Sequence, residues 1–160
     1  MRSAGRFAAA VKCTKLSVMD KKLRSLAIEE YAHAQAEALL ERLAWQVGHT
    51  AKRGDPETVH DLRGEMDHLA NCLRVFSQFF PKGAPKKIRH QLRVIKELAG
   101  EVGNRDIILA VLAAVPTAQD EKLSTQLAYE RERAKRELVK ALQHWTQRKL
   151  FRKWRGQLEL

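Results

Sequence analysis

Four cations stand three or four residues apart in the middle of the chain, a spacing that places them on one flank of an α-helix. Like charges at this spacing repel each other by a few tenths of a kcal/mol per pair, and a purely structural helix would place acids between them. The row therefore predicts a surface that binds anions. Its members are Lys86, Arg89, Arg93 and Lys96.

A second polar row precedes it in the chain, again with spacings of three and four. An arginine guanidinium can donate to two phosphate oxygens at once, and a neutral histidine can donate one hydrogen bond. We expect the arginines of this row to present positive charge to an anion. His60, buried beside Arg63, is predicted to donate to a phosphate oxygen or to a neighbouring helix. The row consists of His60, Arg63, Asp67, Asn71 and Arg74.

Apolar residues beside both rows predict the helices that position them. Asp55 can cap a helix that begins at Pro56, because its carboxylate can accept from the free amides of the first turn. The segment Phe79–Gly83 ends this helix, and the next helix is predicted from Pro85 to about Gly103. The expected inward residues of the first of these helices are Val59, Leu62, Met66, Leu69, Leu73, Phe76 and Phe80.

The part of the chain before these helices divides into two segments. Residues 1–19 are interpreted as a flexible basic arm, with an amphipathic import-type segment as the alternative. Residues 20–50 predict an amphipathic helix whose inward face includes Leu23, Tyr31 and Trp45. The predicted organisation is therefore an N-terminal arm followed by one helical domain over residues 20–160.

The part after residue 103 predicts two further helices. Asn104 can cap a short one, and the apolar run from Ile107 to Val115 predicts that this helix is buried on all sides. Pro116 then breaks the chain, and Thr117–Asp120 resembles the capping box of a long helix that ends near Lys149. The outer face of the long helix mixes acids with cations at pairing distance, for example Glu132 with Arg136, which is typical of a solvated surface.

The C-terminal tail is dense in cations and carries two aromatic residues, Phe151 and Trp154. Three interpretations remain open for it. The tail stacks on nucleic-acid bases, lies on a membrane surface, or docks on the bundle as a final short helix, and docking is the commonest outcome for such a tail.

Composition sets the class of partner. The 160 residues carry a formal charge of +11 and suffice for one domain, and this charge points to a polyanion such as nucleic acid or polyphosphate, or to an anionic membrane face. The two cysteines, Cys13 and Cys72, do not indicate a disulfide framework, so a reducing compartment is expected. No apolar run reaches the length needed to span a bilayer, and the expected location is cytoplasmic.

Two sequence motifs resemble those of a known family. Residues 59–63 read VHDLR and open a helix rich in leucine and arginine, and residues 100–107 read GEVGNRDI, with Arg105 and Asp106 in the positions of the family's arginine and aspartate. The chain thereby resembles the CHAD family, the conserved histidine α-helical domain, as a short, degenerate member. This chain lacks arginine in two stretches where the family usually carries it. The residues found there instead are Asp67, His68, Ala70 and Asn71 in the first stretch and Gly103 in the second.

The resemblance implies an all-α, antiparallel helical bundle of four to five helices plus a tail helix. It also implies non-catalytic binding of inorganic polyphosphate along a basic groove, in association with polyphosphate granules. The Arg105 and Asp106 pair either caps and ties helices or contacts the ligand, and the family favours a mixed role. The expected polyphosphate-binding residues are His60, Arg63, Arg74, Lys86, Arg89, Arg93, Lys96, Arg105, Arg131 and Lys135.

Family members usually repeat the helical unit, whereas the second half of this chain lacks another VHxxR motif. A single unit exposes the surface that its missing partner would cover, so we expect a homodimer that restores the double bundle about a twofold axis. A monomer with an open groove is the alternative.

Motifs for catalysis are absent from the sequence, which contains no GxxxxGK[ST] loop, no HExxH, no GxSxG and no CxxC pair. His68 and Cys72 are four apart, yet two ligands without a third are weak evidence for a metal. No enzyme activity, metal or cofactor is expected. Two rival functions remain: binding of RNA or another nucleic acid, aided by Trp145, Phe151 and Trp154, and a helical adaptor that docks an acidic protein.

Overall fold

The computed structural model describes the backbone of residues 5–114 and 120–160, and the side chains of residues 22–114 and 121–160. The described chain is helical and contains no strand, which confirms the predicted all-α bundle. A one-turn 3₁₀ helix covers Ser77–Phe79. The α-helices are α1 (Gly5–Arg53), α2 (Pro56–Val75), α3 (Ala84–Ala114), α4 (Asp120–Gln147) and α5 (Leu150–Leu158).

The first four helices form an antiparallel bundle in which α2 packs against α1 and α3, and α4 packs against α3 and α1. The predicted inward face of α2 is confirmed, because its residues from Val59 to Leu73 are buried at the expected spacing. The two remaining predicted core aromatics follow α2, where Phe80 is buried and Phe76 is partly buried. The other long helices contribute Leu43, Val47, Ile88, Leu92, Ile95, Leu138 and Leu142.

The start of α2 also follows the prediction. The Thr58 amide donates to Asp55 Oδ1 over 2.9 Å, and Pro56 occupies the first turn. This backbone hydrogen bond lowers the pKa of Asp55 from its ordinary value of 3.8. The carbonyl of Thr58 accepts from two buried α1 side chains, Gln46 and Thr50, each over 3.0 Å. Hydrogen bonds from α1 side chains and from the cap of α2 therefore both hold the turn between these helices.

The predicted helix break at Gly103 and Asn104 is wrong, because α3 continues without interruption to Ala114. A glycine within a helix costs only about 1 kcal/mol relative to alanine, so Gly100 and Gly103 do not end the helix when packing supports it. Asn104 accordingly lies within α3 and caps no helix. The breaking proline, Pro116, and most of the predicted capping box fall in residues 115–119, outside the described residues.

The predicted burial of the apolar run after Arg105 is also wrong. Ile107 and Val111 are 63% and 60% exposed, and Ile108 is 44% exposed. Helix α4, which packs against α3, likewise exposes Leu123 and Tyr129 near its start. The C-terminal end of α3 and the N-terminal end of α4 therefore expose an apolar surface.

The inward face predicted for α1 is wrong as well. Leu23, Tyr31 and Trp45 are all more than half exposed, and a parallel row about one third of a turn away is buried instead. The backbone of residues 5–19 belongs to α1, so this helix begins earlier than residue 20. Whether residues 1–19 act as a flexible arm stays a prediction. The buried row consists of Ala32, Ala36, Leu40, Leu43 and Val47.

The C-terminal tail docks as a short helix, which is the favoured one of its three interpretations. Trp154 is fully buried, its indole Nε1 donates to Gln91 Oε1 over 2.7 Å, and its ring packs edge-on against Trp145 and Phe151. Lys149 adopts a left-handed backbone conformation, with φ of 50°, at the turn between α4 and α5. The aromatic residues of the tail complete the core at this end of the bundle.

Candidate anion-binding grooves

A groove of about 410 Å³ runs between α2 and α3, and the four cations of the first predicted row line it. These residues lie about one third of a turn from the buried row of Ile88, Leu92 and Ile95, and they line α3 on the side that faces α2. We call this site the α2–α3 groove. It is lined by Met66, Asp67, Ala70, Lys86, Arg89, His90, Leu92, Arg93 and Lys96.

The four cations of the α2–α3 groove differ in how far acids neutralise them. Lys86 and Arg89 form no ion pair with any residue that the structure describes. Arg93 lies 3.8 Å from a Glu97 oxygen and hydrogen-bonds His90 over 3.1 Å. Lys96 is ion-paired with Asp67 of α2. One end of the groove is therefore strongly positive and the other end is partly neutralised.

Arg63 extends the positive surface along the same pair of helices. Its Nη1 lies 3.2 Å from the position that a Cβ would take on Gly103, so the guanidinium rests on α3 where no side chain intervenes. Arg63 therefore contacts α3 about two turns beyond Lys96, the last cation of the groove lining. Arg63 has no carboxylate partner among the described side chains.

Two other members of the second row lie on the outside of α2. His60 is exposed, so the predicted burial beside Arg63 is wrong, and its side chain makes no hydrogen bond with a described residue. Arg74, in the last turn of α2, donates to Asn71 Oδ1 over 3.3 Å and is also exposed. Both residues stay candidates at the ends of the row.

Arg131 does not contribute to the α2–α3 groove. Its guanidinium joins α4 to α3 and to the α1–α2 turn, donating to Asp106 Oδ1 over 2.8 Å and to the Gly54 carbonyl over 3.0 Å. A third bond, over 2.7 Å, goes to Glu132. Burial alone would lower the pKa of Arg131, but these hydrogen bonds raise it. With its side chain 11% exposed, Arg131 acts as a structural tie.

Arg105 is also held by acids. Its Nη1 donates to a Glu101 carboxylate oxygen over 2.7 Å, which raises the pKa of Arg105, and its Nε lies 3.6 Å from Glu130. These residues line an α3–α4 groove of about 290 Å³, together with Arg133 and Glu137. The balance of acids and cations there argues against anion binding. For the Arg105 and Asp106 pair, the structure supports the role of tying helices.

Lys135 lies in a different place from the other predicted cations. It lines a groove of about 360 Å³ between the end of α1 and the middle of α4. We call this site the α1–α4 groove. Sequence reasoning did not select its other cations, because only the packing of α1 on α4 brings them together. The groove is lined by Ala51, Lys52, Arg53, Glu132, Lys135, Arg136, Val139 and Lys140.

The described residues contain no group of three or more His, Cys, Asp or Glu side chains that could hold a metal ion. Burial raises the pKa of the Cys72 thiol, which is half-buried on α2. No helix among them has the length and apolarity needed to cross a membrane.

The fold and grooves define a class: an all-α bundle that presents unpaired cations along neighbouring helices. Comparison with protein-family models matches residues 34–159 to the CHAD domain. Because this match covers most of the chain, the protein belongs to the CHAD domain family. Searches of curated proteins and of solved structures found no match.

Proposed function

We propose that this protein binds inorganic polyphosphate along the α2–α3 groove without catalysing a reaction. The observation that carries the proposal is the convergence of Lys86, Arg89 and Arg93 on one groove, in line with Arg63 from the facing helix. Polyphosphate carries a regular row of charges and no bases, so a line of cations without base-reading groups suits it. Membership in the CHAD family supports the same ligand.

The aromatic residues count against the rival proposal of RNA binding. Sequence-tolerant binding of single strands uses aromatic rings on which bases stack. No Phe, Tyr or Trp lines the α2–α3 groove. The three aromatics that favoured RNA in the sequence, Trp145, Phe151 and Trp154, pack against one another around the turn between α4 and α5 and do not line this groove. An adaptor for an acidic protein remains a second alternative.

A salt titration tests the proposal. Affinity for long-chain polyphosphate should fall steeply with salt, because each neutralised phosphate releases counterions. The double variant Lys86→Gln/Arg89→Gln should bind more weakly and reduce the slope of log K against log[salt] by roughly 1.5. The matched control, Lys122→Gln/Arg133→Gln, removes two exposed cations from α4 and should leave the slope close to wild type.

An unchanged slope in the Lys86→Gln/Arg89→Gln variant would place the ligand elsewhere. A competition experiment separates the two polyanions: polyphosphate should displace bound single-stranded RNA at matched salt, and failure to do so would favour the RNA proposal. Since the variant residues are exposed or half-buried, circular dichroism melts should confirm that both double variants fold.

We also propose that the protein forms a homodimer through the apolar ends of α3 and α4, and that it acts in the cytoplasm at polyphosphate granules. A helix that is apolar all round is stable only when neighbours cover it, and α4 covers one side of the Ile107–Ala114 run. Light scattering should report a dimer for the wild type and a monomer for Ile107→Ser/Val111→Ser. A wild-type monomer at micromolar concentration would contradict the dimer.

A further inference from the structure

The α1–α4 groove holds a concentration of cations that the fold does not use. Lys52, Lys135, Arg136 and Lys140 line it and form no ion pair with a residue within the described ranges. The fifth cation of the groove, Arg53, is paired with Asp55 over 2.7 Å. By contrast, the surface cations Arg42 and Arg155 each pair with a glutamate on another helix. The groove is therefore an uncompensated patch on a protein that elsewhere pairs many of its cations.

The patch keeps a net positive charge because the one acid that lines it, Glu132, forms its ion pair with Arg131, outside the groove lining. Sequence spacing predicted that Glu132 pairs with Arg136, but Glu132 Oε1 instead accepts from Arg131 over 2.7 Å. That hydrogen bond lowers the pKa of Glu132. Arg131 is itself oriented by Asp106, on α3, so the tertiary contact decides which arginine the glutamate neutralises. Arg136 lies close enough to help lower the pKa of Glu132 but forms no ion pair with a described residue, so its guanidinium can face an external anion.

The backbone beneath the patch is held in place. Gly54 adopts a left-handed conformation with φ of 58°, and a Cβ added to it would lie 2.6 Å from Lys135 Cε. The aliphatic stem of Lys135 therefore lies across the α1–α2 turn, and only glycine leaves it that room. The Gly54 carbonyl accepts from Arg131, which ties this turn to α4. Ala51 and Val139 complete an apolar floor between the cations.

We propose that the α1–α4 groove is a second anion site, separate from the α2–α3 groove, and that it binds short condensed phosphates such as tripolyphosphate. The cations on α4 span residues 135–140, which is about 8 Å of helix, whereas those of α3 span residues 86–96, about 15 Å. A short, multiply charged chain matches the compact arrangement. The ammonium groups of the lysines and the guanidinium groups of the arginines can donate hydrogen bonds to phosphate oxygens.

The location of the site makes it independent of the one already proposed. Its residues belong to α1 and α4, and the α2–α3 groove uses residues of the other two long helices. The two grooves thus share no side chain and can be removed one at a time. This inference goes beyond the proposed function, and different substitutions test the two.

Isothermal titration with sodium tripolyphosphate at low salt tests the inference. The wild type should bind at two sites, and Arg136→Gln/Lys140→Gln should lose one of them. Lys86→Gln/Arg89→Gln should retain the α1–α4 site. The control Lys122→Gln/Arg133→Gln lies on the same helix, removes the same charge and should retain both sites. In an amide NMR spectrum, the Gly54 signal should shift on titration of the wild type and not of Arg136→Gln/Lys140→Gln.

The outcomes distinguish the two proposals. If Arg136→Gln/Lys140→Gln weakens binding no more than the control does, the α1–α4 site is excluded. If the wild type has one site and Lys86→Gln/Arg89→Gln removes it, the α1–α4 site is excluded while the proposed function stands. If the wild type has one site that only Arg136→Gln/Lys140→Gln removes, the α1–α4 site stands, and the α2–α3 groove is excluded as a tripolyphosphate site.

Discussion

Helix α3 borders two grooves that differ in how far acids pair with the cations that line them. On its α2 side, Lys86 and Arg89 line the groove without an acid partner among the side chains that the structure describes. On its α4 side, the lining of the α3–α4 groove contains more acids than cations, and Glu101 holds Arg105. The same types of side chain are therefore left without an acid partner in one place, where we propose that they bind an anion, and hold helices together in the other. The two roles differ in whether a carboxylate from another turn or helix lies close enough to form an ion pair with the cation.

The α1–α4 groove extends this comparison. Arg131 and Arg136 both stand near Glu132 on α4, but only Arg131 lies opposite Asp106. Arg131 is consequently fixed in the fold, and Arg136 remains available. Substitutions that remove a fixed cation should change stability, and those that remove a free one should change binding.

The largest effect is expected for Arg131→Ala. Removing one partner of a mostly buried ion pair leaves Asp106 without its counter-charge, which should lower the free energy of unfolding by about 3 kcal/mol. Arg89→Ala should change it by less than about 0.5 kcal/mol. Urea denaturation of both variants measures the difference. Equal losses in the two variants would contradict the division into fixed and free cations.

A smaller effect, on binding, is expected for Asp67→Asn. This substitution removes the acid that pairs with Lys96 and leaves the α2–α3 groove with four free or weakly paired cations. Because the pair is partly exposed, the gain should be modest: roughly two- to five-fold tighter polyphosphate binding, within the range for exposed ion pairs. Fluorescence anisotropy with labelled polyphosphate measures it. Asp61→Asn, an exposed change on α2 outside the groove lining, is the matched control.

The cap of α2 gives a pH-dependent prediction. Asp55→Ala should lower the Tm by about 3 °C at pH 7, because the Thr58 amide loses its acceptor. The folded-state pKa of Asp55 lies below its ordinary value of 3.8, so the contribution of the carboxylate is present above pH 3.8 and is lost as pH falls through the folded-state pKa. Melts across this range should show the wild type and the variant converging in acid. A gap that stays constant down to pH 2 would exclude the ionised cap.

The smallest effect is expected for Gly103→Ala, which sharpens the account of Arg63. Alanine within a helix should stabilise the fold by about 0.5–1 kcal/mol, provided that the guanidinium of Arg63 moves a few tenths of an ångström from the new Cβ. Urea denaturation would reveal a loss of stability instead if Arg63 were held rigidly against α3. Gly100→Ala, where an added Cβ meets nothing within 4 Å, is the control.

The sequence predicted α2 well because one cap and one apolar row agree there. Asp55 and Pro56 fix the start of the helix, and only one face of it is apolar. In α1, two parallel rows satisfy the same period, one containing Leu23 and Trp45 and the other containing Leu40 and Val47. Periodicity cannot choose between them, and the packing against α2 buries the second.

The candidate site was predicted in part for a similar reason. The cation row of α3 follows from helical spacing alone, so Lys86 to Lys96 were placed together correctly. The partners of Arg105 and Arg131 depend on contacts between α3, α4 and the α1–α2 turn, which no spacing along one helix reveals. The extent of α3 beyond Gly103 likewise depends on packing with α4.

The central claim is that phosphates bind between α2 and α3, and a crystal structure of the protein soaked with polyphosphate tests it most directly. We predict a row of phosphate groups within hydrogen-bonding distance of Lys86, Arg89 and Arg93, continuing toward Arg63. Density for phosphate at other surfaces, with none in the α2–α3 groove, would contradict the claim.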